Sequence, residues 1–298
     1  MHRDSATPPP AATVGPAPGP PPPGGELWEI VGDFRTLLTL PAALALQVAH
    51  PAVGAGVADH SVFRTDPWGR AERSLTSLLL WVYGGDRARE EGRRLRARHA
   101  HIRGTDTHGN PYRALDPETY AWVHATGFPV MRHGQRYLGR PLTSAREHRL
   151  YAEWLQVGRV LGIRDADMPR SVDAFRPYYR RMLAERVEPT PVLRELLSVT
   201  APVPPPEAGP RVVRTLLRAL WPVLRPPFLR LRRFVTLGLM PPEARDALAL
   251  PWSPRQERRL RRFGLLVRGV AAVLPERLRY FPAARRARAE HRAGTYAA

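Results

Sequence analysis

Apolar residues recur along this chain at intervals of three and four and almost nowhere alternate with polar ones, which predicts helices throughout and an all-α fold. Leu46, His50, Val53 and Val57 fall at i, i+4, i+7 and i+11, one face of a helix. The stretch Thr36–Ala58 around them carries no Asp, Glu, Lys or Arg and is long enough to cross a bilayer. Gln47, His50, Pro41 and Pro51 make a kinked, buried core helix the better reading, with Pro41 near its first turn.

The next helix opens at Asp66-Pro67, a cap followed by a residue suited to the first turn, and closes at Gly84-Gly85. Its second half is apolar, but Arg70, Arg73, Ser74 and Ser77 form a polar stripe. Burying arginine is costly without an anion, so the stripe faces either water or an anionic ligand. The charged segment EEGRRLRARHAHIRG carries a narrow inward stripe of Gly92, Leu95, His99 and Ile102, and Gly104 ends the helix. After a polar loop, a helix begins near Asp116-Pro117 and carries His124. Further helices are expected over Ser144–Leu161, Ser171–Arg186, Val192–Leu197, Val212–Leu224, Pro241–Ala249, Pro254–Leu274 and Ala283–His291, with the Pro-rich stretch Ala201–Pro210 as a loop.

Composition changes this picture at the ends. Residues 1–25 are mostly Pro, Ala and Gly and read as a disordered, partly polyproline tail; residues 26–290 form a single multi-helix domain. The tail has no apolar core of a secretory signal, so the protein is expected in the cytoplasm. The net charge of +19 raises nucleic acid as a partner. Every basic side chain is arginine, however, and the arginines are scattered and often sit beside acids, so no nucleic acid is expected. The stretch TLLRALWPVLRPPFLRLRRF mixes Trp, Leu and Phe with arginine and suits either an amphipathic core helix or a peripheral membrane surface. No cysteine is present, which excludes disulfides, thiolate zinc sites and thioether-tethered haem.

Chemistry rests on the histidines that face inward, His50, His99 and His124. A single histidine on an apolar face serves either as a hydrogen-bonded core residue or as a metal ligand, and spacing does not separate the two. No HExxH, nucleotide-binding glycine motif or GxSxG elbow occurs. A non-haem iron site drawn from separate helices remains open.

Longer strings are more specific. LALQVAHPAVGAGVADHSVFRTDPWGRAERSLTSLLLWVYGG and RARHAHIRGTDTHGNPYRALDPETYAWVHATG resemble the signature of the family of haem-dependent oxygenases that includes the rubber oxygenases (latex-clearing proteins) and the fungal mycophenolate-pathway oxygenase. MPRSVDAFRPYYRRML, MPPEARDALALPWSP and LPERLRYFPAARRARA extend the resemblance over roughly residues 26–290.

The resemblance implies an all-helical fold enclosing a pocket for haem b, whose iron takes a histidine from a His-x-x-x-Arg setting. Here His99 and Arg103 match that setting. The distal Arg-x-x-Lys-Thr stretch is matched by Arg70, Arg73 and Ser74, with arginine in place of lysine and serine in place of threonine. Arginine stays protonated and is a poor iron ligand. His50 and His124 belong to the matching blocks and are expected to line the same core. The leading expectation is an oxygenase that uses dioxygen on a lipophilic small molecule, cleaving or adding across a carbon–carbon double bond. The alternatives are another haem oxidation, and a non-catalytic haem-binding or peripheral membrane protein.

Overall fold

The computed structural model describes residues 19–207 and 209–296. Residues 1–18 of the expected tail lie outside them; of the rest, Pro21 is buried and the Pro22 carbonyl accepts from the Gly25 N–H at 3.1 Å. In chain order the helices are α1 (Glu26–Val31), α2 (Thr36–Val48), α3 (Pro51–His60), α4 (Pro67–Tyr83) and α5 (Arg87–His99). A short antiparallel ribbon of β1 (Arg103–Thr105) and β2 (Pro111–Arg113) follows. Then come α6 (Pro117–Ala125), α7 (Gly127–Leu138), α8 (Ser144–Val160), α9 (Val172–Glu185), α10 (Pro191–Leu196), α11 (Arg211–Leu239), α12 (Pro242–Ala247), α13 (Pro254–Val273), α14 (Glu276–Arg279) and α15 (Pro282–Arg292). The all-α expectation holds, and the ribbon is the one sheet among the described residues.

One apolar cluster runs from Leu27 to Ala287, with Trp28, Trp122, Tyr151 and Phe128 fully enclosed. Helix α2 packs on α11 and α7, α4 on α5, α1 on α8 and α4, and α13 on α7. Helix α1 starts at Gly25, which has no side chain to cap it. The Glu153 carboxylate of α8 does so instead, accepting from the N–H groups of Glu26 and Leu27 at 3.0 and 2.7 Å. A side chain at Gly25 would collide with that carboxylate.

The structure departs from the sequence expectations at several elements. The helix expected across Leu46–Val57 is two helices bent by 107°, because Pro51 begins a new first turn and His50 becomes its extended N-cap. Leu46, His50, Val53 and Val57 therefore do not share one helix face. No single helix among the described residues is long and apolar enough to cross a membrane; this bent pair passes such a test only taken together. Pro41 sits inside α2 rather than near its first turn. Helix α5 ends at His99, not Gly104, and the loop beyond folds into the ribbon.

Helix α11 runs fifteen residues past the expected Leu224, to Leu239, through Pro222, Pro226 and Pro227. Burial of Leu229 and of Val235–Leu239 holds it together where proline would ordinarily stop a helix. Its last turn is closed by the buried Arg245, which donates to the carbonyls of Leu237 and Met240 at 2.9 and 2.8 Å. Helices α1, α7 and α14 are absent from the sequence reading. Gly127, Pro129 and Gly134 masked the apolar spacing of Phe128, Met131 and Leu138 in α7.

Candidate functional site

The Asp66 cap forms as expected: its carboxylate accepts from the Gly69 N–H at 2.9 Å, and α4 runs to Gly84. Helix α5 turns back against it after three residues. Arg70 stands thirteen residues before Tyr83, and His99 twelve residues after Arg87. At about 1.5 Å rise per residue both lie roughly 18–20 Å from the turn, so pairing the helices brings them to the same end. Gly92 allows this placement of α5: its missing side chain lets the Val160 carbonyl of α8 approach the helix backbone.

His99 is the last residue of α5 and half-buried. Its Nδ1 lies 2.8 Å from the Leu95 carbonyl. A carbonyl only accepts, so Nδ1 carries the hydrogen, and in the neutral ring Nε2 keeps its lone pair. Nε2 makes no hydrogen bond among the described residues. The Tyr120 ring stands edge-on at 6.5 Å and donates its hydroxyl to the Leu161 carbonyl; burial pushes that phenol up to about 12. The Arg96 guanidinium lies over the same ring at 5.6 Å and donates to the Gly162 carbonyl.

Around this end, backbone and side chains are stitched across elements. Arg70 Nε donates to Ser61 Oγ at 2.8 Å. The neighbouring His60 Nε2 donates to the Arg103 carbonyl at 3.3 Å, four residues past His99. Arg70 is half-buried and has no carboxylate partner among the described residues; burial and then the nearby Arg73 pull its pKa below the usual arginine value. A half-buried cation without an anion suits an anionic ligand group.

The polar stripe expected on α4 is thus divided. Arg73 is exposed and pairs with Asp66 at 3.0 Å. Ser74 is half-buried. Ser77 is buried and donates to Glu91 Oε1 at 2.5 Å, a carboxylate also held by Arg94. Arg103 stands on β1, so His99 and Arg103 do not share a helix, and its side chain is exposed.

The remaining histidines differ in kind. His50, 8% exposed at the α2–α3 elbow, has both ring nitrogens without a partner among the described residues, and burial lowers its pKa. His124 is a satisfied core residue. It stacks on Trp154 at 4.2 Å and donates Nε2–H to the Trp154 carbonyl at 2.8 Å, while the Trp154 indole returns a bond to the His124 carbonyl. Burial drives it down to about 4. His133 on α7, which the sequence reading passed over, is equally buried, donates to the Gly238 carbonyl at 3.2 Å, and is also lowered to about 4 by burial and Arg245. Arg96, Ser61 and His60 were missed as well; only Arg96, one turn before His99 on the same face, left a readable signal.

Among the described residues no three of His, Asp and Glu converge as a metal-binding group. Two clefts, of about 270 Å³ beside Arg159, Asp165 and Arg170 and about 370 Å³ beside Arg245, Asp246 and Trp252, involve none of the residues around His99.

Comparison with known proteins adds a family. The model described as ER-bound oxygenase mpaB/B′/rubber oxygenase, catalytic domain, matches residues 28–269. An uncharacterized protein of Mycobacterium tuberculosis and one of Mycobacterium bovis are each 29% identical over 249 residues, covering 80% of this chain and 91% of theirs. No solved structure matches.

Proposed function

The chain belongs to the mpaB and rubber oxygenase catalytic-domain family, and from that premise we propose that it is a haem b-dependent oxygenase that uses dioxygen on a lipophilic small molecule, with oxidative cleavage of a carbon–carbon double bond as the leading reaction. The observation that carries this reading is His99, whose Nδ1–H is held by the Leu95 carbonyl while Nε2 stays unbonded. An imidazole fixed in this way is an oriented, basic metal donor. It offers one nitrogen, and a porphyrin brings four of its own, so the donor set fits haem without a cluster of protein ligands.

In this reading His99 Nε2 would hold the iron, and haem when bound would supply the dioxygen and redox chemistry. The protein's residues do the rest. Arg70, short of an anion among the described residues, would hold a haem carboxylate or steady negative charge beside it. Ser74 would offer a hydroxyl donor on the same stretch of α4, where Arg73 is exposed and tied to Asp66. Tyr120 and Arg96 wall the His99 ring and limit its rotation. Arg103 contributes through its backbone, which His60 clamps beyond His99. His50 brings two unbonded ring nitrogens to the core and is available to a ligand there, whereas His124 supports the core through Trp154.

The test is an absorption spectrum of protein produced with haem, beside His99→Ala and His99→Gly. The parent is expected to show a Soret band, the alanine variant to lose or shift it, and added imidazole to restore it in the glycine variant. A parent without the band, or an alanine variant with an unchanged band, refutes the assignment. A haem-loaded parent that turns over no alkene with dioxygen favours the non-catalytic haem-binding alternative.

A further inference from the structure

Helix α11 presents a second feature, which the site around His99 leaves unexplained. Its 29 residues include seven arginines and no acidic residue. Its first half is exposed along a continuous aliphatic stripe of Val212, Leu216, Leu220, Val223 and Leu224, with Val212 70% and Val223 74% exposed. These positions repeat every three or four residues and so share one face. The opposite side docks on the body through Trp221 and Phe228, which pack on Trp68 of α4 at 6.3 and 5.6 Å. Among the described residues Arg218 pairs with Glu207 and Arg232 donates to the Leu196 carbonyl; Arg211, Arg214, Arg225, Arg230 and Arg233 make no ion pair.

We propose that this face of α11 docks on an anionic lipid surface, with its aliphatic stripe at the acyl boundary and the exposed Arg230 and Arg233, which lie on and beside the same face, on the headgroup charges. Aliphatic side chains on one face with cations at the flanks are the pattern of a helix lying in a membrane interface. The charge decides between occupants. A second copy meeting the same face would oppose arginine-rich helices with no acid on either side, whereas anionic headgroups complement them. The depth is set by Pro222, Pro226 and Pro227, which leave the carbonyls of Arg218, Pro222 and Val223 without their usual intrahelical donors. Such carbonyls need water or headgroup partners, so the helix rests at the interface and does not enter the hydrocarbon. The Trp68 contact lies two residues from Arg70, which puts the docked helix against the element that carries the site.

The experiment is flotation of the purified full chain with vesicles of phosphatidylcholine alone or with about one quarter phosphatidylglycerol, at low and high salt. Binding to the anionic vesicles only, weakened by salt, is expected. The charge-neutral variant L216S/L220S/V223S should lower that binding at least about tenfold with an unchanged melting temperature, since all three side chains are exposed. Undiminished binding by the variant overturns the proposal, because net charge alone then attracts the lipid. Equal binding to neutral vesicles, or a dimer in solution that the variant converts to monomer, also overturns it. Because the chain has no cysteine, Val223→Cys can carry a single environment-sensitive dye. A blue shift with anionic vesicles is expected, and its absence refutes the docking. None of these readouts requires haem, so they fail or succeed independently of the oxygenase reading.

Discussion

Replacing His124 with glutamine separates a core histidine from a cofactor contact through pH. In the folded chain burial keeps the imidazole neutral down to about 4, against a reference value of 6.5 for the exposed group. Below 6.5 the unfolded chain takes up a proton that the folded chain refuses, so the folded state loses stability as the pH falls from there toward 4; above about pH 7.5 the group contributes no pH dependence. At about pH 5 the unfolded state gains roughly RT ln(1 + 10^1.5), or about 2 kcal/mol, from this one residue. Glutamine keeps an N–H within reach of the Trp154 carbonyl and does not titrate. Urea unfolding of both proteins at about pH 7.5 and about pH 5 gives the difference of differences, in which other titrating groups cancel. The parent should lose about 2 kcal/mol more than His124→Gln over that interval. An equal loss in both refutes the assignment of His124 as a buried, neutral core residue.

Three further changes probe other joints. His50→Leu removes two unpartnered ring nitrogens at similar volume and should raise stability by about 1–2 kcal/mol in thermal or urea melts; a loss instead shows that the nitrogens are satisfied. Arg245→Met strips the donors from the Leu237 and Met240 carbonyls at the end of α11 and should cost about 2–4 kcal/mol; a cost near zero refutes the capping role. Trp68 and Trp221 donate their indole N–H groups to the Pro204 and Val203 carbonyls, pinning the Pro-rich connection to α4 and α11. The W68F/W221F pair should speed cleavage after Glu207 by a glutamate-specific protease, with the global melt lowered by about 2 kcal/mol or less; an unchanged cleavage rate shows that these bonds do not hold the segment.

What was legible in the sequence had local causes. Asp66-Pro67 starts α4 because a capping carboxylate and a fixed φ act within one turn. Gly92, Leu95 and His99 lie on one stripe because α5 continues regular to its last residue. The conjunction of long motifs extended the resemblance over the region that the family match covers, 28–269. The half-inward placement of His99 was legible for the same reason.

Tertiary contacts decided the rest. Helix α11 passes through three prolines because Leu229 and the Val235–Leu239 end are buried against other helices, an energy absent from the segment itself. His50 and His124 read alike in sequence, yet one has two bare nitrogens and the other is bonded and stacked by a residue thirty positions away. Arg70 gained its place beside the His99 end only when α5 folded back on α4 and the turn after α3 brought Ser61 to it. Helix periodicity depends on neighbours three and four residues apart, and the sequence contains those directly. The protonation, pairing and accessibility of a side chain depend on groups that only the folded chain brings within hydrogen-bond reach.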